Sequence, residues 1–171
     1  LNSGRNVSGG TILGGGVVIV LNPRDLMTAV SKVGSSIRVG VDSADGEAGE
    51  HKRSVLVVDD SLTTRTLVKN ILEASGYDVS VRVNGQEGWE ALSERDFDLV
   101  VSDVQMPIMD GFELTDKIKT SEDYGEIPVI IVTSLANDED KQKGLDVGAD
   151  AYIVKGEFET RILLDVVNQL I

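Results

Sequence analysis

Asp59-Asp60, Asp103, Thr133 and Lys155 each follow a short apolar run: "VLVV" before the two aspartates, "LVV" before Ser102-Asp103, "VIIV" before Thr133 and "AYIV" before Lys155. Three carboxylates brought together repel one another, and keeping all of them ionised requires a cation or hydrogen-bond donors. Hard oxygen ligands are the donors on offer, which suits Mg²⁺ with several retained waters. Lys155 supplies a fixed positive charge, and Thr133 a hydroxyl, to a negatively charged group bound at such a metal. Together these are the parts of a phosphoryl-transfer site: a carboxylate nucleophile, a bridging metal, and cationic and hydroxyl clamps.

Those groups meet only if the apolar runs lie side by side. Strands are expected at Val55–Val58, Val79–Val81, Leu99–Val101, Val129–Val132 and Ala151–Val154. Helical stretches follow: one after Ser61 with Leu67, Val68, Ile71 and Leu72 on one face and Gly76 as its stop, then others beginning near Asn84, Asp110, Asn137 and Glu157. Five strands alternating with five helices imply an α/β, doubly wound parallel sheet, because parallel strands need crossover connections. In such a sheet ligands bind beyond the carboxyl ends of the strands, which is where four of the five runs place the acids, the hydroxyl and the ammonium. The second strand ends without such a group. Pro107 and Asp110-Gly111 shape a turn directly after Asp103, so that acid emerges beside a loop.

Composition narrows the chemistry further. The 171 residues suit one well-packed domain plus an additional segment. The absence of cysteine excludes disulfides and thiolate chemistry, and a single histidine, His51, argues against a Ser-His-Asp triad or a His-rich zinc site. No stretch reaches bilayer-crossing length and no signal-peptide pattern opens the chain, so a soluble, cytoplasmic protein without membrane insertion is expected. Net charge is −13, and residues 52–171 hold 24 acidic against 12 basic side chains, which repels nucleic acid; the acid serves solubility, or else a divalent cation or a basic partner face, and charge alone does not separate these. Residues 31–52, "SKVGSSIRVGVDSADGEAGEHK", lack hydrophobic periodicity and read as a flexible linker, in which His51 is incidental. Ahead of it, Gly14-Gly15-Gly16 predict a turn, Val17–Leu21 a strand, and Asn22-Pro23 a helix start.

"VLVVDDS", "VSDVQMPIMDGFEL", "VIIVTS" and "ADAYIVK", in that order, resemble the receiver domain of two-component response regulators over residues 53–171. The resemblance implies the flavodoxin-like, CheY-like (βα)5 fold with strand order 2-1-3-4-5. It further implies Asp103 as the phosphoacceptor, with Asp59, Asp60, Asp103 and the Gln105 carbonyl holding Mg²⁺. Thr133 and Lys155 then act on the phosphoryl group, Thr133 and Tyr152 form the switch, with Tyr152 turning inward on activation, and Gln105 and Leu135 influence the lifetime of the acyl phosphate. The implied partners are a histidine kinase phosphotransfer domain and a downstream signalling protein, the alternative role being a phosphate sink. Such a chain catalyses only its own phosphorylation and dephosphorylation. "GGTILGGGVVIVLNPRDL" within residues 1–30 is similar to the end of a CheW-like coupling domain, which implies the C-terminal piece of a chemotaxis-type, CheA-like hybrid histidine kinase.

Other readings compete residue by residue. Asp59-Asp60 could cap a helix, although Ser61 already serves, and Trp89 reads as packing. Gly156 stands where the family usually has proline, which bears on the partner face more than on the chemistry. A haloacid dehalogenase-type phosphohydrolase also uses an aspartyl nucleophile but wants Asp-x-Asp after the first strand. A receiver-like interaction module should lack one of the five site residues, and a nucleotide-binding doubly wound domain needs a Gly-rich phosphate loop.

Overall fold

The computed structural model describes residues 52–157 and 160–171. The turn, strand and helix start expected within residues 1–30, residues 31–51 of the expected linker, and His51 lie outside the described residues. Five strands, β1 (Ser54–Val58), β2 (Asp78–Arg82), β3 (Leu99–Ser102), β4 (Val129–Thr133) and β5 (Ala151–Val154), pair in parallel in the order 2-1-3-4-5. Helices α1 (Leu62–Ala74), α2 (Gly85–Glu94), α3 (Gly111–Lys119), α4 (Asp138–Asp146) and α5 (Thr160–Leu170) cross between and after them. This is the doubly wound, CheY-like flavodoxin fold.

Alternation along the pleat divides the strands between two cores. Val55 and Val57 of β1 face Val68 and Leu72 of α1 and Leu163, Val166 and Val167 of α5, whereas Leu56 and Val58 face Ala91 and Leu92 of α2 and Leu114 and Ile118 of α3. Because helices cover both faces, the central strands are apolar at successive positions, as the continuous "VLVV" and "VIIV" runs required. A third cluster, centred on Tyr152, Phe112, Val104 and Ile131, lies beneath α4. Trp89 packs against the α2–α3 core, edge-on to Tyr124 at 5.4 Å between ring centroids, with the Lys117 ammonium over its face.

Helix starts follow from short polar side chains that satisfy otherwise unpaired backbone N–H groups. Ser61, Asn84, Asp110 and Asn137 each accept from the N–H three residues on, an arrangement that contributes about 1 kcal/mol per helix. Asp110 and Glu113 complete a reciprocal capping box. The last helix departs from expectation: instead of beginning near Glu157, the chain makes a 3₁₀ turn at Lys155–Glu157, and α5 runs from Thr160.

The loop between β3 and α3 is built around a close backbone approach. Gly111 N–H donates to the Val104 carbonyl at 2.9 Å, and a Cβ at Gly111 would overlap the Asp103 carbonyl oxygen. Ile108 takes a left-handed conformation at φ 73° while 81% exposed, so its strained backbone is not offset by side-chain burial. Gly111→Ala is therefore expected to cost about 3 kcal/mol of stability, or to displace the loop that follows Asp103. Urea unfolding of the two proteins measures the cost, and an equal midpoint would refute the close approach.

Candidate functional site

Each site residue occupies the carboxyl edge of the sheet for a local reason. Asp59 follows β1 directly, its N–H donating to the Arg82 carbonyl at 3.1 Å, and Asp60 comes next, exposed at the start of the loop into α1. Asp103 follows β3, and its N–H donates to the Val58 carbonyl at 2.8 Å, which ties the two acidic strand ends together. Thr133 ends β4 and Lys155 succeeds β5. Gln105 lies exposed two residues past Asp103.

One carboxylate oxygen from each of Asp59, Asp60 and Asp103 falls within 4.8 Å of the others. Asp59 and Asp103 are buried, at 4% and 7% exposure. Between them the Lys155 ammonium donates to Asp103 Oδ2 at 2.6 Å and to Asp59 Oδ2 at 2.9 Å. The remaining oxygens are also engaged: Asp103 Oδ1 accepts from Val104 N–H at 2.6 Å, and Asp59 Oδ1 from Ser61 N–H at 2.8 Å. Burial pushes the Asp59 carboxyl above its usual range, with the Lys155 ammonium and the Ser61 N–H pulling the other way and Asp103 adding to the rise. Burial alone would lower the Lys155 pKa, but hydrogen bonds and charge from Asp103 and Asp59 outweigh it, so the ammonium is held above its ordinary value. The donor set fits a hard divalent cation: all three acids are oxygen donors, and Lys155 pairs directly with two of them.

Arg65, one turn into α1, was not singled out from the sequence. Its Nη1 donates to the Asp59 carbonyl at 2.7 Å and to the Asp60 carbonyl at 3.3 Å, so it clamps the backbone that carries two of the acids. An arginine five residues beyond an acid pair, at the start of a capped helix, was the available signal.

Thr133 and Tyr152 meet through Leu135. Thr133 is fully buried, and its Oγ1 accepts a long, 3.4 Å hydrogen bond from Leu135 N–H. Tyr152 is turned inward at 2% exposure, and its hydroxyl donates to the Leu135 carbonyl at 3.0 Å. Burial, with Asp140 and Asp103 adding repulsion, pushes the Tyr152 phenol up to about 12.

The chain matches the model of the response regulator receiver domain over residues 55–168. Across 91% of its length it is 36% identical to the gliding motility regulatory protein of Myxococcus xanthus, of which the match covers 19%. Across 95% it is 29% identical to the sensor histidine kinase CheAY of Helicobacter pylori, of which it covers 21%. The chain thus spans about a fifth of the length of these two curated relatives. Among solved structures, a receiver domain of a signal transduction histidine kinase from Syntrophus aciditrophicus is 38% identical with a TM-score of 0.65, over 69% of this chain and 89% of that one. The chemotaxis response regulator CheY4 of Vibrio cholerae is 33% identical with a TM-score of 0.65, over 70% of this chain and 99% of that one. With its sheet order and its acidic edge added to these likenesses, this chain belongs to the response regulator receiver domain family.

Proposed function

We propose that this receiver accepts a phosphoryl group from a phosphohistidine of a histidine kinase onto Asp103, with Asp59, Asp60, Asp103 and the Gln105 carbonyl holding Mg²⁺. Phosphoryl acceptance is general to the family, and its members bind Mg²⁺ at an acidic cluster. The observation that carries the reading here is the convergence of three carboxylate oxygens within 4.8 Å, with the Lys155 ammonium 2.6 Å from Asp103. Mg²⁺, when bound, neutralises charge on the acids and on the transferred group. Asp103 is the nucleophile: its oxygen bonds to phosphorus as the phosphorus–nitrogen bond to imidazole breaks and the leaving nitrogen keeps the electron pair. Lys155 remains to pair with the new phosphoryl oxygens, and Thr133 offers them its hydroxyl. Water later cleaves the acyl phosphate.

Thr133 is the hinge of the proposed response. Its hydroxyl holds the Leu135 N–H only loosely, at 3.4 Å, so turning toward a phosphoryl oxygen frees the residue whose carbonyl Tyr152 grips. The surface of α4, β5 and α5 then shifts between two arrangements for a downstream partner.

The chain further reads as the C-terminal receiver of a cytoplasmic, CheA-like hybrid histidine kinase, with residues 1–30 as the tail of its CheW-like domain and residues 31–52 as a linker. Two features support this. The likeness to CheAY of Helicobacter pylori extends over 95% of the chain, more than the receiver alone occupies. Among the described residues no helix is long and apolar enough to cross a membrane. The donor is then a phosphotransfer domain, in the same parent protein or another, and the receiver serves as switch or as phosphate sink.

Incubation with acetyl phosphate and Mg²⁺ is expected to add one base-labile phosphoryl group, absent without Mg²⁺ and in Asp103→Asn. Label that persists in Asp103→Asn would move the nucleophile elsewhere, and failure to label folded, Mg²⁺-bound protein would favour an interaction module.

Because Arg65 clamps the carbonyls of Asp59 and Asp60, Arg65→Ala should weaken Mg²⁺ binding by about tenfold in calorimetry, with Arg65→Lys intermediate. Unchanged affinity, with metal-free stability lowered, would reduce Arg65 to a structural role.

Alkaline titration tests the inward phenol. From pH 10 to about 12 the unfolded chain has lost the Tyr152 proton that the folded chain retains, so stability falls as pH rises through that window. Tyr152→Phe should remove the tyrosinate absorbance step near pH 12 and flatten that part of the decline. A wild-type titration complete by pH 11 would contradict the buried, inward ring.

A further inference from the structure

Helix α4 reads Asp138-Glu139-Asp140-Lys141-Gln142-Lys143-Gly144-Leu145-Asp146, and Gly144 is its one buried residue. A helix this polar has little apolar surface with which to grip the sheet. Its one buried residue instead lies against an aromatic ring. A Cβ on Gly144 would stand 2.7 Å from Cδ2 and 3.0 Å from Cε2 of Tyr152, with Ile131 Cδ1 at 3.7 Å, whereas carbon atoms settle at about 3.5–4.0 Å. The ring has no slack to give: it is 2% exposed, packed with Phe112 and Val104, and its hydroxyl is held by the Leu135 carbonyl. Gly144 is also tied down from the other side, its carbonyl accepting from Ala149 N–H at 3.0 Å.

We propose that Gly144 is a positioning residue for Tyr152: α4 seats directly on the inward ring because residue 144 has no side chain, and this biases the receiver toward the inward arrangement. The consequence for signalling rests on the reading of Tyr152 as part of the switch, whereas the packing claim does not. Glycine in a helix interior disfavours folding by up to about fivefold relative to alanine, so its presence in the last turn of α4 still runs against local propensity and is accounted for by the ring beneath it. Any side chain at 144 removes the room for the inward ring beneath a seated α4, and the ring, with no slack inside its pocket, is displaced outward.

The test is a cycle of Gly144→Ala, Tyr152→Ala and the double variant in the full chain. In the Tyr152 background, Gly144→Ala is expected to lower the inward-to-outward ratio of the ring about tenfold, read from ring-to-methyl contacts by NMR with labelled tyrosine, and to reduce folding stability. In the Tyr152→Ala background the same change should raise stability, as helix propensity alone dictates. Equal effects of Gly144→Ala in the two backgrounds, or a ring that stays inward in Gly144→Ala, would overturn the inference. Binding of beryllium trifluoride with Mg²⁺ separates the signalling consequence from the packing: affinity should fall several-fold in Gly144→Ala, because only the inward fraction is competent. Full coupling in the stability cycle with unaltered beryllium trifluoride affinity would refute the bias on signalling and, with it, Tyr152 as part of the switch.

Discussion

Electrostatic repulsion among Asp59, Asp60 and Asp103 is the constraint around which the carboxyl edge of this domain is arranged. One oxygen from each lies within 4.8 Å of the others, a separation at which carboxylates disfavour one another's ionisation unless positive charge intervenes. Lys155 bridges two of the three, and Arg65 holds the backbone of Asp59 and Asp60, so the cluster gathers positive charge around it. Burial of Asp59 and Asp103 makes their repulsion more costly than in the same cluster on an open surface, and a hard divalent cation would offset it. Parallel strand order does the rest, because β1 and β3 are hydrogen-bonded neighbours and their ends deliver the acids side by side.

Much of this was legible in the chain because it is encoded locally. Strand positions follow from apolar runs too short and too β-branched to be helices, and four helix starts follow from a single polar residue each. The 2-1-3-4-5 order came from resemblance, not from alternation, since alternation dictates parallel pairing without ranking the strands. The features that escaped are those defined only by tertiary proximity. Arg65 is an ordinary helical arginine until its guanidinium is seen on the Asp59 and Asp60 carbonyls. Ile108 has no business in a left-handed conformation by propensity, and only closure of the loop between Asp103 and the Asp110 cap puts it there. Gly144 sits inside a helical pattern where glycine merely weakens the expectation of helix, and the ring that explains it comes from β5. The start of α5 was displaced because the residues after Lys155 form a 3₁₀ turn first.

Leu135 connects the chemistry to the surface. Its N–H is held by Thr133 and its carbonyl by Tyr152, so one residue of the loop after β4 is tied both to the end of β4 and to the aromatic ring beneath α4. The two bonds differ in quality. The 3.4 Å contact from Leu135 N–H to Thr133 is near the limit of a hydrogen bond, whereas the 3.0 Å contact from the phenol is ordinary. The Leu135 N–H is therefore the more weakly held of the two groups.

Stability and responsiveness divide between the two sides of the sheet for the same reason. On the α1–α5 face, side chains from all five strands and two helices interdigitate, and shifting any one of them opens a void of the kind that costs several kcal/mol. Beneath α4 a smaller cluster built on Tyr152 and Phe112 replaces that redundancy, and the helix above it contributes one glycine to the buried surface. Packed cores resist graded deformation, so a domain that must signal needs a region where two arrangements differ by little. Here the least redundantly packed helix is α4, which meets Tyr152 at Gly144, and Tyr152 connects through Leu135 to Thr133.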